Sequence, residues 1–265
     1  MFRSLIFALI LATLVTAPAA RADEPGPPEA APTTPAEQAR ARDASIDRGL
    51  LMTHAETIGA DRWTINSYEL FLLGVTYGVS DDFQLSFTTS LPVVQDMPLL
   101  LSLAGKVVFY RDPWTVLALR GLIAWETVPS ETDKGLGVFT ASFFVDRYLD
   151  SRGRFALHGA FSVGGGFGTG FDSGGVTIGH GALFLIELGV TLGLADMVNL
   201  YAEVEIPAVN AGGRFDFAPY ALVNYGFRFH GGSLAADLGF LRPVGSGSSD
   251  TFILGFPFVA FSARF

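Results

Sequence analysis

From Asp47 onward the chain is punctuated by turn signals of two lengths, and the two lengths take strict turns. Short ones stand at Ser80-Asp81-Asp82, Arg111-Asp112-Pro113, Asp150-Ser151-Arg152, Ala195 to Val198 and His230-Gly231-Gly232. Between them fall longer connections, Pro92 to Pro98, Thr127 to Lys134, Gly168 to Thr177, Val209 to Asp216 and Val244 to Asp250. Such a rhythm confines the chain to an antiparallel meander with tight turns at one end and longer loops at the other.

Dividing the sequence at these connections predicts strands near 48–57, 63–79, 83–91, 99–110, 114–126, 135–149, 153–167, 178–194, 199–208, 217–229, 233–243 and 251–265. The count is twelve, and an even number returns the chain to the end it started from. Most segments reach the roughly 9–11 residues of a tilted membrane-crossing strand and exceed the five or six usual in soluble sheets.

Within the segments apolar residues fall at every second position. Phe83, Leu85, Phe87 and Leu91 alternate with Gln84, Ser86, Thr88 and Ser90, and Leu200, Ala202, Val204 and Ile206 with Asn199, Tyr201, Glu203 and Glu205. Leu234, Ala236, Leu238 and Phe240 oppose Ser233, Ala235, Asp237 and Gly239. One face is nearly free of charge, which suits lipid as well as a sandwich core. Aromatics break the tie by gathering near strand ends, as interfacial girdles do. Tyr77, Phe83, Tyr110, Trp114, Tyr148, Phe229 and Phe265 stand by short turns, Trp63 and Trp125 by long connections. Composition agrees, since 31 Gly, 24 Phe and only 16% charged residues are too apolar and glycine-rich for a typical soluble domain. Beyond the N-terminus there is no apolar run of eighteen or more, so helical spans are excluded and the apolar residues belong to strands.

The last eleven residues, Gly255 to Phe265, put Pro257, Val259, Phe261, Ala263 and Phe265 on one face, with Ser262 and Arg264 between them. This resembles the closing strand of Gram-negative outer-membrane β-barrel proteins, whose assembly machinery reads a C-terminal strand ending in Phe with alternate apolar residues. The stretch Tyr68-Glu69-Leu70-Phe71 through Gly74 to Asp81 also looks like the opening hairpin of uncharacterised barrels of this kind. Together with the strand pattern, the resemblance implies an all-β fold, a transmembrane antiparallel up-and-down barrel of about twelve strands in the bacterial outer membrane. It implies outer-membrane lipid and the barrel-assembly machinery as partners, with Val259, Phe261, Ala263 and Phe265 as the assembly signal. It carries no known activity.

Residues 1–22 read as a secretory signal peptide, with Arg3 leading an apolar stretch from Leu5 to Val15 and Ala20-Arg21-Ala22 as a small-x-small cleavage site. Residues 23–47 are rich in Pro and Ala, with no large apolar residue before Ile46, and read as a flexible periplasmic tether rather than a plug entering the lumen. Residues 48–265 are the expected barrel.

If the apolar face meets lipid, parity turns Lys106, Arg120, Glu126, Asp146, Arg154, His158, Glu187, Glu203, Glu205, Arg228, Asp237 and Arg264 toward the lumen. Such charges must be hydrated or paired. Twelve strands lie between the filled interior of eight and the channel of sixteen, so two readings stay open. The residues line a passive channel for small hydrophilic solutes, or they pair and fill a structural barrel.

Other chemistry finds little support. The absence of cysteine removes disulfides, thiol nucleophiles and thiolate metal sites, and a net charge of −9 with no basic patch argues against nucleic acid. A barrel hydrolase acting on lipid or peptide, the alternative reading, needs a proton-sharing partner for its histidine. Those resembling outer-membrane phospholipase or lipid A deacylase place His and Ser two apart on one strand face. The residues two beyond His54, His158, His180 and His230 are Glu56, Ala160, Ala182 and Gly232. The four scattered histidines also lack metal-site spacing. The expectation is a non-enzyme with no cofactor and no metal.

Overall fold

The computed structural model describes residues 32, 34–68, 71–91, 99–127, 135–169, 182–211, 214–245 and 254–265. The expected signal peptide, the first part of the Pro/Ala-rich stretch and most of the long connections lie outside them. A short helix, α1 (Pro35–Arg42), precedes thirteen strands: β1 (Trp63–Tyr68), β2 (Leu72–Gly78), β3 (Phe83–Ser90), β4 (Leu99–Arg111), β5 (Thr115–Thr127), β6 (Gly135–Tyr148), β7 (Phe155–Thr169), β8 (Ala182–Ala195), β9 (Val198–Ala211), β10 (Arg214–Phe217), β11 (Tyr220–His230), β12 (Leu234–Gly245) and β13 (Phe256–Arg264).

Every neighbour pairing is antiparallel, and β13 closes on β1 from Thr64↔Arg264 to Tyr68↔Ala260. Strands β10 and β11 form one broken barrel strand, for both pair with the same side of β9. Phe217 faces Ala208 and Leu222 faces Glu205, so four residues span the space of two. Pro219, which has no N–H to give a ladder, sits in this bulge, and the Ala218 amide donates to the Pro207 carbonyl instead (2.9 Å). The barrel therefore has twelve strands.

The expected membership of those twelve needs correction. Residues 48–57 are not a strand, and the partner of Gly255 to Phe265 is β1. The segment expected as a single strand at 63–79 is a hairpin, with Tyr68 opposite Leu72 and the Phe71 amide donating to the Tyr68 carbonyl (3.0 Å). Its turn contains no Gly, Pro, Asn or Asp, so nothing in the sequence marks it. Strands β1 to β3 run to 6, 7 and 8 residues, whereas β4 to β9 run to 13–15, so the wall is lowest at the closing seam.

The two faces separate as the alternation requires. Leu103, Ile123, Phe139, Phe161, Leu188, Leu238 and Phe261 are exposed outward, while Lys106, Asp146, Glu203, Arg228 and Asp237 are buried inside. Val259, Phe261, Ala263 and Phe265 alternate with buried Phe258, Ala260 and Ser262, and Phe265 is 72% exposed. An exterior of this kind suits hydrocarbon. The chain is a closed antiparallel β-barrel with an apolar outer face.

Two girdle positions differ from expectation. Trp63 stands at the short-turn end, stacked on Tyr77 at 4.4 Å and exchanging backbone hydrogen bonds with Phe265 (3.1 and 2.8 Å). Tyr148 shares the inward parity of Asp146, so its ring is buried in the lumen at 2% exposure.

Candidate functional site: a filled lumen and the cavity above it

The segment from Thr34 to Arg62 is neither a periplasmic tether nor a strand, because residues 35–58 are largely buried against the charged inner wall. Helix α1 begins in a capping box, with the Glu37 amide donating to Thr34 Oγ1 (3.2 Å) and the Thr34 amide to Glu37 Oε2 (2.9 Å), and with Pro35 in its first turn. It is held at the short-turn end. Arg42 donates to the Gly153 carbonyl (3.1 Å), and Arg264 donates to the Arg40 carbonyl (2.9 Å). Beyond the helix the chain enters the bore as a narrow loop with its tip at Gly49–Met52. The Gly49 amide donates to the Met52 carbonyl (2.8 Å) and the His54 amide to the Asp47 carbonyl (3.0 Å). It leaves past Gly59, whose φ of 92° favours glycine, and so closely over Gly78 that a side chain there would meet the Gly59 carbonyl.

The wall grips this plug mainly through the plug's own backbone. Arg228, with 0% exposure, donates from Nη1 to Asp43 Oδ2 (3.1 Å) and to the Ser45 and Arg48 carbonyls (both 2.9 Å). Its Nη2 reaches the Gly49 carbonyl (2.5 Å) and its Nε reaches Asp237 Oδ1 (2.5 Å). Asp237 also takes Arg48 Nη1 (2.7 Å), whose other nitrogen donates to Ser262 Oγ (2.7 Å). Glu203 accepts three successive amides, Leu50, Leu51 and Met52, at 2.6, 3.0 and 3.3 Å. Gly49 has no side chain to offer here, since a Cβ would strike the Glu203 carboxylate. Lys106 donates to the His54 carbonyl (2.8 Å) and, more closely, to the Glu56 carbonyl. Glu56 is fully buried and pairs with Arg40 (2.7 Å) and Arg111 (3.3 Å).

Burial works against ionising Asp43, yet Arg228 and His230 beside it hold its carboxyl below the ordinary value. His54 is held well below its ordinary value by burial and then by His158, Arg228 and Lys106. It remains a neutral imidazole.

A row of three side chains crosses adjacent strands under the plug. Asp146 Oδ1 lies 2.7 Å from His158 Nδ1, and His158 Nε2 lies 2.8 Å from Thr191 Oγ1. His54 stacks on His158 with centroids 3.7 Å apart and planes at 4°. The ligand atoms of His54, Asp146 and His158 fall within 4.8 Å of one another. Both His158 nitrogens are engaged, so among the described residues His54 Nε2 is the one ring nitrogen of the three groups open to an ion, beside a carboxylate that already accepts the Ala55 amide (2.9 Å). The donor set does not fit a metal. The cavity beside the row, about 20 Å³, has room for a single water.

Of the expected lumen residues, Lys106, Asp146, His158, Glu203, Arg228 and Asp237 thus meet the plug. Arg120, which also donates to Thr53 Oγ1 of the plug (3.1 Å), surrounds with Glu187 and Glu205 a cavity of about 390 Å³ on the long-loop side, with Leu51 and Thr53 among its lining. A smaller cavity of about 70 Å³ lies between the plug and the wall near Gln84 and Lys106, and Arg120 borders both. Glu126 is partly buried near the long-loop end of β5. Arg154 belongs to the short-turn rim rather than to the bore, since it pairs with Asp196 of the next turn, itself largely exposed. Sequence reasoning missed Asp43, Arg48, His54 and Glu56 as interior groups, and Thr191 as the partner of His158. The second was within reach, for Asp146 is directly opposite His158 and Thr191 lies two residues beyond its opposite number, Gly189.

No protein-family model matches the chain, and no curated protein matches it significantly. Solved structures do resemble it in fold. Outer-membrane OmpT of Vibrio cholerae is 13% identical, with 73% of this chain and 64% of that chain covered at a TM-score of 0.39. A bacterial polysaccharide outer membrane secretin is 10% identical over 79% and 77% at 0.46. LpxR from Salmonella typhimurium is 11% identical over 77% and 99% at 0.42. The chain spans a little under two thirds of the OmpT chain. These likenesses bear on no activity.

Proposed function

We propose that this barrel is a conduit for small hydrophilic solutes that rests closed, its bore shut by its own residues 34–58. The observation that carries the reading is Arg228, a fully buried guanidinium that directs its donors to three plug carbonyls and two carboxylates. A wall built only to be stable would pair its charges with each other. Here they hold a separate, polar segment in the middle of the bore, and a solute-sized cavity ends on that segment.

The test is conductance in planar bilayers. The full chain is expected to give rare, small steps, and a variant lacking residues 34–58 to give large, steady ones. Equal large conductance in both proteins overturns the reading, as does a sealed deletion variant whose folded barrel is verified by heat-modifiable gel mobility.

The Asp146–His158–Thr191 row favours a second reading, a hydrolase with a threonine nucleophile. We propose a structural role instead, because the row is buried under the plug beside space for one water. Labelling of Thr191 by a fluorophosphonate probe would reverse that choice.

A further inference from the structure

The cavity above the plug has a charge arrangement that the plug does not explain. Glu187 of β8 is directly opposite Glu205 of β9, a placement that puts their Cβ atoms about 4.5–5.5 Å apart and destabilises two like charges. Glu205 accepts one hydrogen bond, from Asn224 Nδ2 (2.8 Å). Glu187, only 7% exposed and lining the cavity, has neither hydrogen bond nor ion pair among the described residues. Arg120, on another wall, donates to Thr53 Oγ1 (3.1 Å), and among the described residues its remaining N–H groups have no partner and border the two cavities. The rest of the lining is mixed, with Leu122, Leu183 and Leu185 offering aliphatic surface and Thr140, Ser142 and Ser162 offering hydroxyls. Buried carboxylates without a counter-charge are costly, and a bound cation would remove the cost.

We propose that this cavity binds a small basic solute. Its ammonium or guanidinium head sits between Glu187 and Glu205, its carboxylate or hydroxyl faces Arg120, and its methylene stem packs on the three leucines. The volume of about 390 Å³ lies within the range of small-molecule sites. A bare inorganic cation is the competing occupant, since the two carboxylates and the Ser and Thr hydroxyls are oxygen donors, but it would leave the leucine surface and Arg120 without a partner. The inference deepens the reading of a solute conduit and rests on it for how the solute arrives.

Calorimetric titration of the refolded full chain in detergent at low salt tests it, with L-arginine as the probe. L-citrulline, which keeps the stem and the carboxylate but loses the positive charge, is the comparison. Saturable L-arginine binding is expected, about tenfold or more weaker for L-citrulline and for Glu187→Gln or Glu205→Gln, with folding checked by heat-modifiable mobility. Absence of saturable L-arginine binding overturns the proposal. So do equal affinity for L-citrulline, indifference to both substitutions because the carboxylates share a proton, and binding of CaCl2 alone. The titration needs no permeation, so an open wild-type channel would sink the plug reading while leaving this result to stand or fall separately.

Discussion

Replacing Arg228 by alanine is the most informative perturbation of the closed state. The substitution removes the cation that sits between Asp43 and Asp237 and leaves the Ser45, Arg48 and Gly49 carbonyls without their shared donor. Asp237 keeps Arg48, so its charge is still partly answered, whereas Asp43 loses its only ion-pair partner among the described residues. Breaking a buried pair by removing one partner costs about 3–5 kcal/mol. None of the lost contacts to Asp43, Ser45, Arg48 and Gly49 holds barrel strands together, so most of that loss falls on plug docking. At 1.4 kcal/mol per factor of ten, the ratio of undocked to docked plug rises by about 10² to 10⁴. Conductance should show longer and more frequent openings, and trypsin should cut at Arg40, Arg42 or Arg48 in the folded barrel of the variant but spare the wild type. A variant as closed and as protected as the wild type, with normal barrel mobility on gels, would refute the reasoning. If Arg228→Ala does not fold, Arg228→Lys keeps the charge but not the five-donor fork, and should give an intermediate opening.

Three further outcomes are expected. Because the folded pKa of His54 lies below its unfolded value, the docked plug binds fewer protons, so docking is fully favoured above about pH 6.5 and weakens below it by up to about 1.4 kcal/mol per pH unit. The protection factors of the amides of residues 50–56, corrected for the pH dependence of intrinsic exchange, should fall between pH 7.5 and 5.5, and unchanged protection would contradict this. Gly49→Ala presses a methyl on the Glu203 carboxylate and frees the amides of Leu50, Leu51 and Met52, at about 1–3 kcal/mol, read as added trypsin sensitivity at the same residues. Phe265→Ala removes a side chain that is 72% exposed, so refolded stability should move by less than about 0.5 kcal/mol while the yield of barrel assembled in cells falls. Equal yields would argue against Phe265 as an assembly signal.

The barrel was legible because its period of two is written on every wall strand. Leu85 and Phe87 against Gln84 and Ser86 distinguish a lipid face from an inner face by alternation alone. The hairpin after Tyr68 was not legible, since Glu69, Leu70 and Phe71 carry no turn residue and the two short strands read as one long one. The plug was hidden for another reason. Its polar, proline-rich approach has the composition of a disordered tether, and disorder follows when a segment cannot bury enough apolar surface. Residues 34–58 escape that rule because their partners are ionised side chains from distant strands, which grip main-chain amides and carbonyls that any sequence possesses.

A twelve-stranded bore is wider than the eight-stranded one that side chains just fill, and a charged inner wall cannot be packed with leucine without stranding its carboxylates. A backbone loop meets both demands, because each residue brings a donor and an acceptor whatever its side chain. Glu203 and Lys106 use this directly, one taking amides and the other giving to carbonyls on the same loop. The same argument explains where the filling stops. Above Leu51 and Thr53 the loop has turned back, and Glu187, Glu205 and Arg120 face open space instead of main chain. Charges that the plug neutralises below are therefore left for a solute to neutralise above, and the boundary between the two is the tip of the loop.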